Sequence, residues 1–240
     1  MKSYRTDTAM AMSALLSKDM KIVELIDLSC DVLPVFLRLD MQLPFGDRSV
    51  EELCGQYGLS SDMFLMLCQI YLSADVEPDV TLLKGDDLRH LLRYLHASHR
   101  YYTDVLLHSI ESGVERVLKA CDRKQSLIVR KFYDDYADEV RAHLEYEEQV
   151  IFPYVERVIA GLQGEVSIEQ SMANHSDICD KVDDMKSIII KYLPESCPTA
   201  ERYELLCDLF RLRDDLAKHT LIEVAVLTPL VAKLEKELAL

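Results

Sequence analysis

One pattern occurs twice in this chain and limits its fold more than any other feature. Residues 143–153 read HLEYEEQVIFP and residues 219–229 read HTLIEVAVLTP, both His-x3-Glu-x5-Pro. Each copy follows another histidine at similar range: His96 stands 47 residues before His143, and His175 stands 44 residues before His219. The repeat describes a helix pair used twice, with a histidine on the first helix and His-x3-Glu on the second. Two such pairs make a four-helix bundle. Residues i and i+4 lie one above the other on a helix face, so His143 with Glu147, and His219 with Glu223, can point together into a bundle axis.

The rest of the sequence agrees with an all-α, up-down bundle preceded by a small helical domain. Four long helices are predicted, from about Asp87 to Lys119, Arg123 to Ala160, Ser167 to Tyr192 and Thr199 to Glu237, with short connections that make neighbours antiparallel. Glycine and proline number only 7 each in 240 residues, and no stretch alternates apolar with polar residues as a sheet requires. The acidic, proline-containing run at 75–80 and the Gly85-Asp86-Asp87 restart divide the chain into a domain over residues 1–80 and a bundle over 86–240. In the first part Lys21 to Cys30 is amphipathic. Ser49 and Glu52 form a capping box, Gly58 stops that helix, and Ser60 or Ser61 caps the next. Pro153 and Pro229 fall inside helices, lack an N–H, and are expected to kink them just past the repeated motif.

Imidazole and carboxylate together suit iron, and a carboxylate can bridge two metals. With His96, His143, His175 and His219 as terminal ligands and Glu147 and Glu223 as bridges, each of two irons would have four protein ligands. A six-coordinate iron then keeps room for an oxo or hydroxo bridge and one exchangeable position for O2, NO or peroxide. The same donors also suit zinc. His99, three residues after His96, is a candidate supporting or substitute ligand. His90 and His108 read as exposed, and Glu145 and Glu148 as solvated residues flanking the motif. Tyr101, Tyr102, Tyr133, Tyr136, Tyr146 and Tyr154 read mostly as amphipathic residues with a wet tip. Cys179, one turn after His175, reads as a buried thiol.

Four segments carry a resemblance: YLHASHR at 94–100, HLEYEEQVIFP at 143–153, MANHSDI at 172–178 and HTLIEVAVLTP at 219–229. Over roughly residues 86–235 the chain resembles hemerythrin-like (HHE) domains, and among these the repair-of-iron-centres di-iron proteins. The resemblance implies a metal set of His96, His143, Glu147, His175, His219 and Glu223 holding two non-haem iron ions. It implies repair of iron–sulfur clusters damaged by nitrosative or oxidative stress, by iron donation or by reduction of NO at the site. The alternative is an O2- or NO-binding sensor or carrier signalling through the N-terminal domain. Iron–sulfur proteins are the implied partners, with a homodimer left open. Two departures stand out. The N-terminal domain of that family carries a cysteine pair where this chain reads Leu43-Pro44-Phe45, and its acidic residue before the third-helix histidine is here Asn174.

The formal charge of −15, from 27 basic and 42 acidic residues, repels phosphate backbones and anionic lipid heads, which argues against nucleic-acid and membrane partners. The 7 cysteines are odd in number and form no Cys-x2-Cys, as expected of reduced, buried thiols in a cytoplasmic protein. The N-terminus shows no secretory pattern, and no apolar run is long enough to span a bilayer.

Overall fold

Ser49 begins a helix as its sequence context suggests. Its hydroxyl accepts from the Glu52 N–H while the Glu52 carboxylate accepts from the Ser49 N–H at 2.8 Å, an arrangement whose loss typically costs about 1 kcal/mol. The helix ends at Gly58, whose φ of 65° is the left-handed conformation that favours glycine. In this computed structural model, which describes residues 16–73, 76–162, 167–172 and 179–238, the same local logic recurs down the chain and gives an all-α fold.

The early helices are α1 (Ile22–Leu28), α2 (Leu33–Arg38), α3 (Val50–Tyr57) and α4 (Ser61–Leu72). The long helices follow. Asp87–Tyr101 (α5) leads to Leu107–Leu118 (α6), and Arg123–Tyr146 (α7) leads to Phe152–Ile159 (α8). Short Ile168–Met172 (α9) precedes Cys179–Tyr192 (α10), and Thr199–Ile222 (α11) leads to Thr228–Leu238 (α12). Asp122 starts α7 with a second capping box, closed by Gln125.

Three of these joints are π-helical: Tyr102–Leu106, Glu147–Ile151 and Glu223–Leu227. In each, the residue after the stretch donates five residues back: Leu107 to the Tyr102 carbonyl, Phe152 to Glu147, Thr228 to Glu223. Pro153 and Pro229 stand two residues past the ends of two of the wide turns. The disturbance expected of these prolines therefore takes the form of a register change, because neither ring nitrogen can donate to the preceding turn. The first wide turn has no proline. There the Thr103 hydroxyl lies 3.1 and 3.3 Å from the carbonyls of His99 and Arg100 and 2.9 Å from Asp104 Oδ1, alternative acceptors for its one hydrogen.

The chain divides into two compact units. One comprises Ser98–Pro153 and Gln170–His219. Its core draws on four helices, with Ile110 and Val114 from the first, Val129, Tyr133, Tyr136 and Val140 from the second, Val182, Met185 and Ile189 from the third, and Leu205, Leu209, Leu212 and Leu216 from the fourth. Gly113 lets two of these helices approach closely, since a Cβ there would lie 3.1 Å from Leu205 Cδ1. Tyr133 and Tyr136 are fully buried, not wet-tipped. The Tyr133 hydroxyl donates to the Leu107 carbonyl at 2.9 Å, and burial pushes its pKa up to about 12.

The other unit comprises Met1–Ala97, Tyr154–Glu169 and Thr220–Leu240. Phe36 sits between Phe45 and Phe64, with ring centroids 5.0 and 5.1 Å away. Phe45 thus adds core-packing bulk just before the turn at Gly46. Arg38 is buried, and its guanidinium donates to the hydroxyls of Tyr71 and Tyr94. Cys54 and Cys68 are buried and free, whereas Cys30 and Cys207 are exposed, so the expectation of buried thiols holds for only some. Cys179 has a side chain outside the described set. Burial pushes the Cys54 thiol from its ordinary 9.0 up to about 11. The unfolded chain gives up that proton near 9.0 while the folded chain keeps it, so this contribution to stability is full below pH 9.0 and is lost as pH rises towards about 11. Urea unfolding across that window should show stability falling with pH, less steeply in Cys54→Ala; equal slopes would contradict the assignment.

Candidate metal centre

The ligand face of each motif helix is the continuation of its core stripe. On α11 the buried residues run Leu205, Leu209, Leu212, Leu216 and then His219, with Glu223 next in the same 4-3-4-3-4 spacing. On α7 they run Val129, Tyr133, Tyr136, Val140, His143 and then Glu147, in the same spacing. Two interleaved seven-residue steps keep such a stripe facing one partner along a bundle helix. Histidine and glutamate have replaced leucine where the stripe would otherwise stay apolar.

Glu147 is the hub. It is fully buried, with Oε1 2.9 Å from His143 Nε2, and Oε2 2.9 Å from His99 Nε2 and 3.4 Å from His219 Nε2. The Nε2 atoms of His99 and His219 are 3.2 Å apart. Among the described residues of this unit, His99, Glu147 and His219 each offer a ligand atom within 4.8 Å of the others, and all three are buried. Aromatic rings pack the site. Phe152 stacks on His99 at 5.0 Å, and Tyr102 meets His219 edge-on at 5.6 Å with its hydroxyl donating to the Asp215 carbonyl.

This donor set fits a cation. Two fully buried carboxylates are costly without compensating positive charge, and imidazole nitrogens facing each other beside carboxylate oxygens form the mixed N and O set that iron and zinc accept. Of the residues singled out from sequence, the structure brings together His143, Glu147 and His219, and Glu223 is fully buried one turn past His219 along the chain. His175 lies outside the described residues. His96 is half-buried and lines a cavity of about 510 Å³ with Arg89, His90, Arg93 and Glu156. The first-helix member of the group is His99. The stripe distinguishes the two: Leu88, Leu92, Leu95, His99 and Tyr102 are all buried at core spacing, and His96 is off that line. His108 is exposed as expected, and Glu145 is exposed and accepts from Gln149. Glu148 differs from the expectation of a solvated side chain, because its carboxylate lies 2.7 Å from His99 Nδ1.

Helices of this form, with a histidine and glutamate cluster buried at their core, define a helical cation-binding protein. The family model for the hemerythrin HHE cation-binding domain matches residues 90–232, and the chain belongs to that family. Comparison with curated proteins and with solved structures finds no match. No described helix is long and apolar enough to cross a membrane.

Proposed function

We propose that the chain is a non-haem di-iron protein of the repair-of-iron-centres type, acting in repair of iron–sulfur clusters damaged by nitric oxide or peroxide. Support comes from the convergence of His99, His143 and His219 on the buried Glu147, which supplies N and O donors in iron's preferred mixture. His143, His175, His219, Glu147 and Glu223, with a first-helix histidine from the His96 and His99 pair, would hold the iron. Bound iron would supply a redox-active centre able to take a small diatomic ligand such as O2 or NO. The chain's own part is to hold the donors in register, to exclude bulk water with Phe152 and Tyr102, and to spread the carboxylates' charge over several imidazoles. In this reading residues 1–80 form an accessory domain to a bundle over residues 86–240, in the cytoplasm.

Iron content measured on protein purified without oxygen, with the optical spectrum followed as air is admitted, tests this reading. About two irons per chain and new near-ultraviolet bands in air are expected. Zinc alone, or no uptake of added Fe(II), overturns the iron assignment. Loss of iron to an apo iron–sulfur acceptor, or catalytic consumption of NO, is the expected repair chemistry. Stoichiometric NO binding without either would instead favour a sensor or carrier.

A further inference from the structure

We propose that Glu148 is a positioning residue that fixes His99 as the metal ligand of the first bundle helix; this rests on the cation-binding reading above. The two nitrogens of His99 have separate partners. Nδ1 lies 2.7 Å from Glu148 Oε1, while Nε2 lies 2.9 Å from Glu147 Oε2 and 3.2 Å from His219 Nε2. A carboxylate can only accept, so Nδ1 carries the hydrogen that Glu148 takes up when a cation placed among the Nε2 atoms and Glu147 holds the Nε2 lone pair. Metal-binding histidines are characteristically oriented in this way by a carboxylate or carbonyl on their second nitrogen. Phe152 fixes the ring plane, stacked at an interplanar angle of 19°.

The wide turn explains how one helix supplies both carboxylates. In an α-helix, adjacent residues point about 100° apart, which is why Glu148 reads from sequence as turned away from the motif. Glu147 and Glu148 open the π stretch Glu147–Ile151, where the angle between neighbours is smaller, and both reach His99. His96, three residues earlier, lines a cavity with Arg89 and Arg93.

The test uses the full chain as wild type, Glu148→Ala, Glu148→Gln, His99→Gln and His96→Gln. Two readouts are needed: anaerobic Fe(II) affinity by competition with a chelator, and the His99 tautomer by nitrogen NMR on Zn(II)-loaded protein. Circular dichroism confirms that each variant is folded. In wild type, His99 is expected to carry its hydrogen on Nδ1. Glu148→Ala should lose about 10–100-fold in Fe(II) affinity, and Glu148→Gln, whose amide oxygen can still accept, should recover part of it. His99→Gln should lose more affinity than His96→Gln. Unchanged affinity in Glu148→Ala, or loss in His96→Gln with retention in His99→Gln, overturns the proposal. If wild type takes up neither Fe(II) nor Zn(II), the metal reading falls separately, and a hydrogen found on Nε2 in the Zn(II)-loaded protein would overturn the role of Glu148 by itself.

Discussion

Glu147→Ala is expected to give a folded protein that no longer responds to metal. Three imidazoles converge on this carboxylate, within 2.9 to 3.4 Å, so the substitution removes the donor that joins them. The loss in Fe(II) affinity should exceed the about 10–100-fold typical of removing an outer partner. Metal-free stability should change much less, because two effects oppose each other. Truncation leaves a cavity, which destabilises, while removal of a fully buried anion relieves its desolvation. A ligand at about a hundred times its Kd stabilises a fold by about 2.7 kcal/mol. Thermal unfolding of wild type with and without Fe(II) should therefore show a clear shift that Glu147→Ala lacks. Glu145→Ala, an exposed change two residues earlier, should keep the shift. A full metal-dependent shift in Glu147→Ala would contradict the central place given to this residue.

The parts of this fold that were legible in the sequence are those decided within one or two turns. Ser49 with Glu52, Gly58 and the stops near Gly161 and Pro194 involve neighbours in sequence, and helix ends placed from them agree with the structure to within about two residues. The duplicated His-x3-Glu motif was legible because i, i+4 spacing is a property of one helix. The surroundings of His99 were not, since Glu148, Glu147, Phe152 and His219 reach it from other helices. The heptad line through Leu92, Leu95, His99 and Tyr102 marks His99 as a core-facing position. The three wide turns were only half announced. Prolines mark two of them, while the turn at Tyr102–Leu106 depends on a hydrogen-bond register that residue types alone do not reveal. Whether Tyr133 and Tyr136 end in water or in the core depended on the width of the packed helices, which no single helix encodes.

Leu209→Ala is expected to separate the fold from the site. Leu209 is fully buried on the same stripe that carries His219 and Glu223, and truncating a leucine in such a place costs about 2–5 kcal/mol. The adjacent Phe210 is 46% exposed, with Lys186 Nζ 4.3 Å from its ring centroid. Its truncation should cost only about 1 kcal/mol, through the lost cation–π contact and partial burial. Leu209 lies ten residues before His219 on a continuous helix, a separation of about 15 Å at 1.5 Å per residue. The folded fraction of Leu209→Ala should therefore bind Fe(II) as wild type does, although denaturant unfolds it far earlier. Leu216→Ala, one turn before His219, should lose both stability and affinity, because the cavity it opens adjoins the ligand's own turn. If Leu209→Ala instead weakened metal binding as strongly as Leu216→Ala, the stripe would be acting as one rigid unit along α11, and placement of the ligands would depend on the whole core and not on the turns beside them.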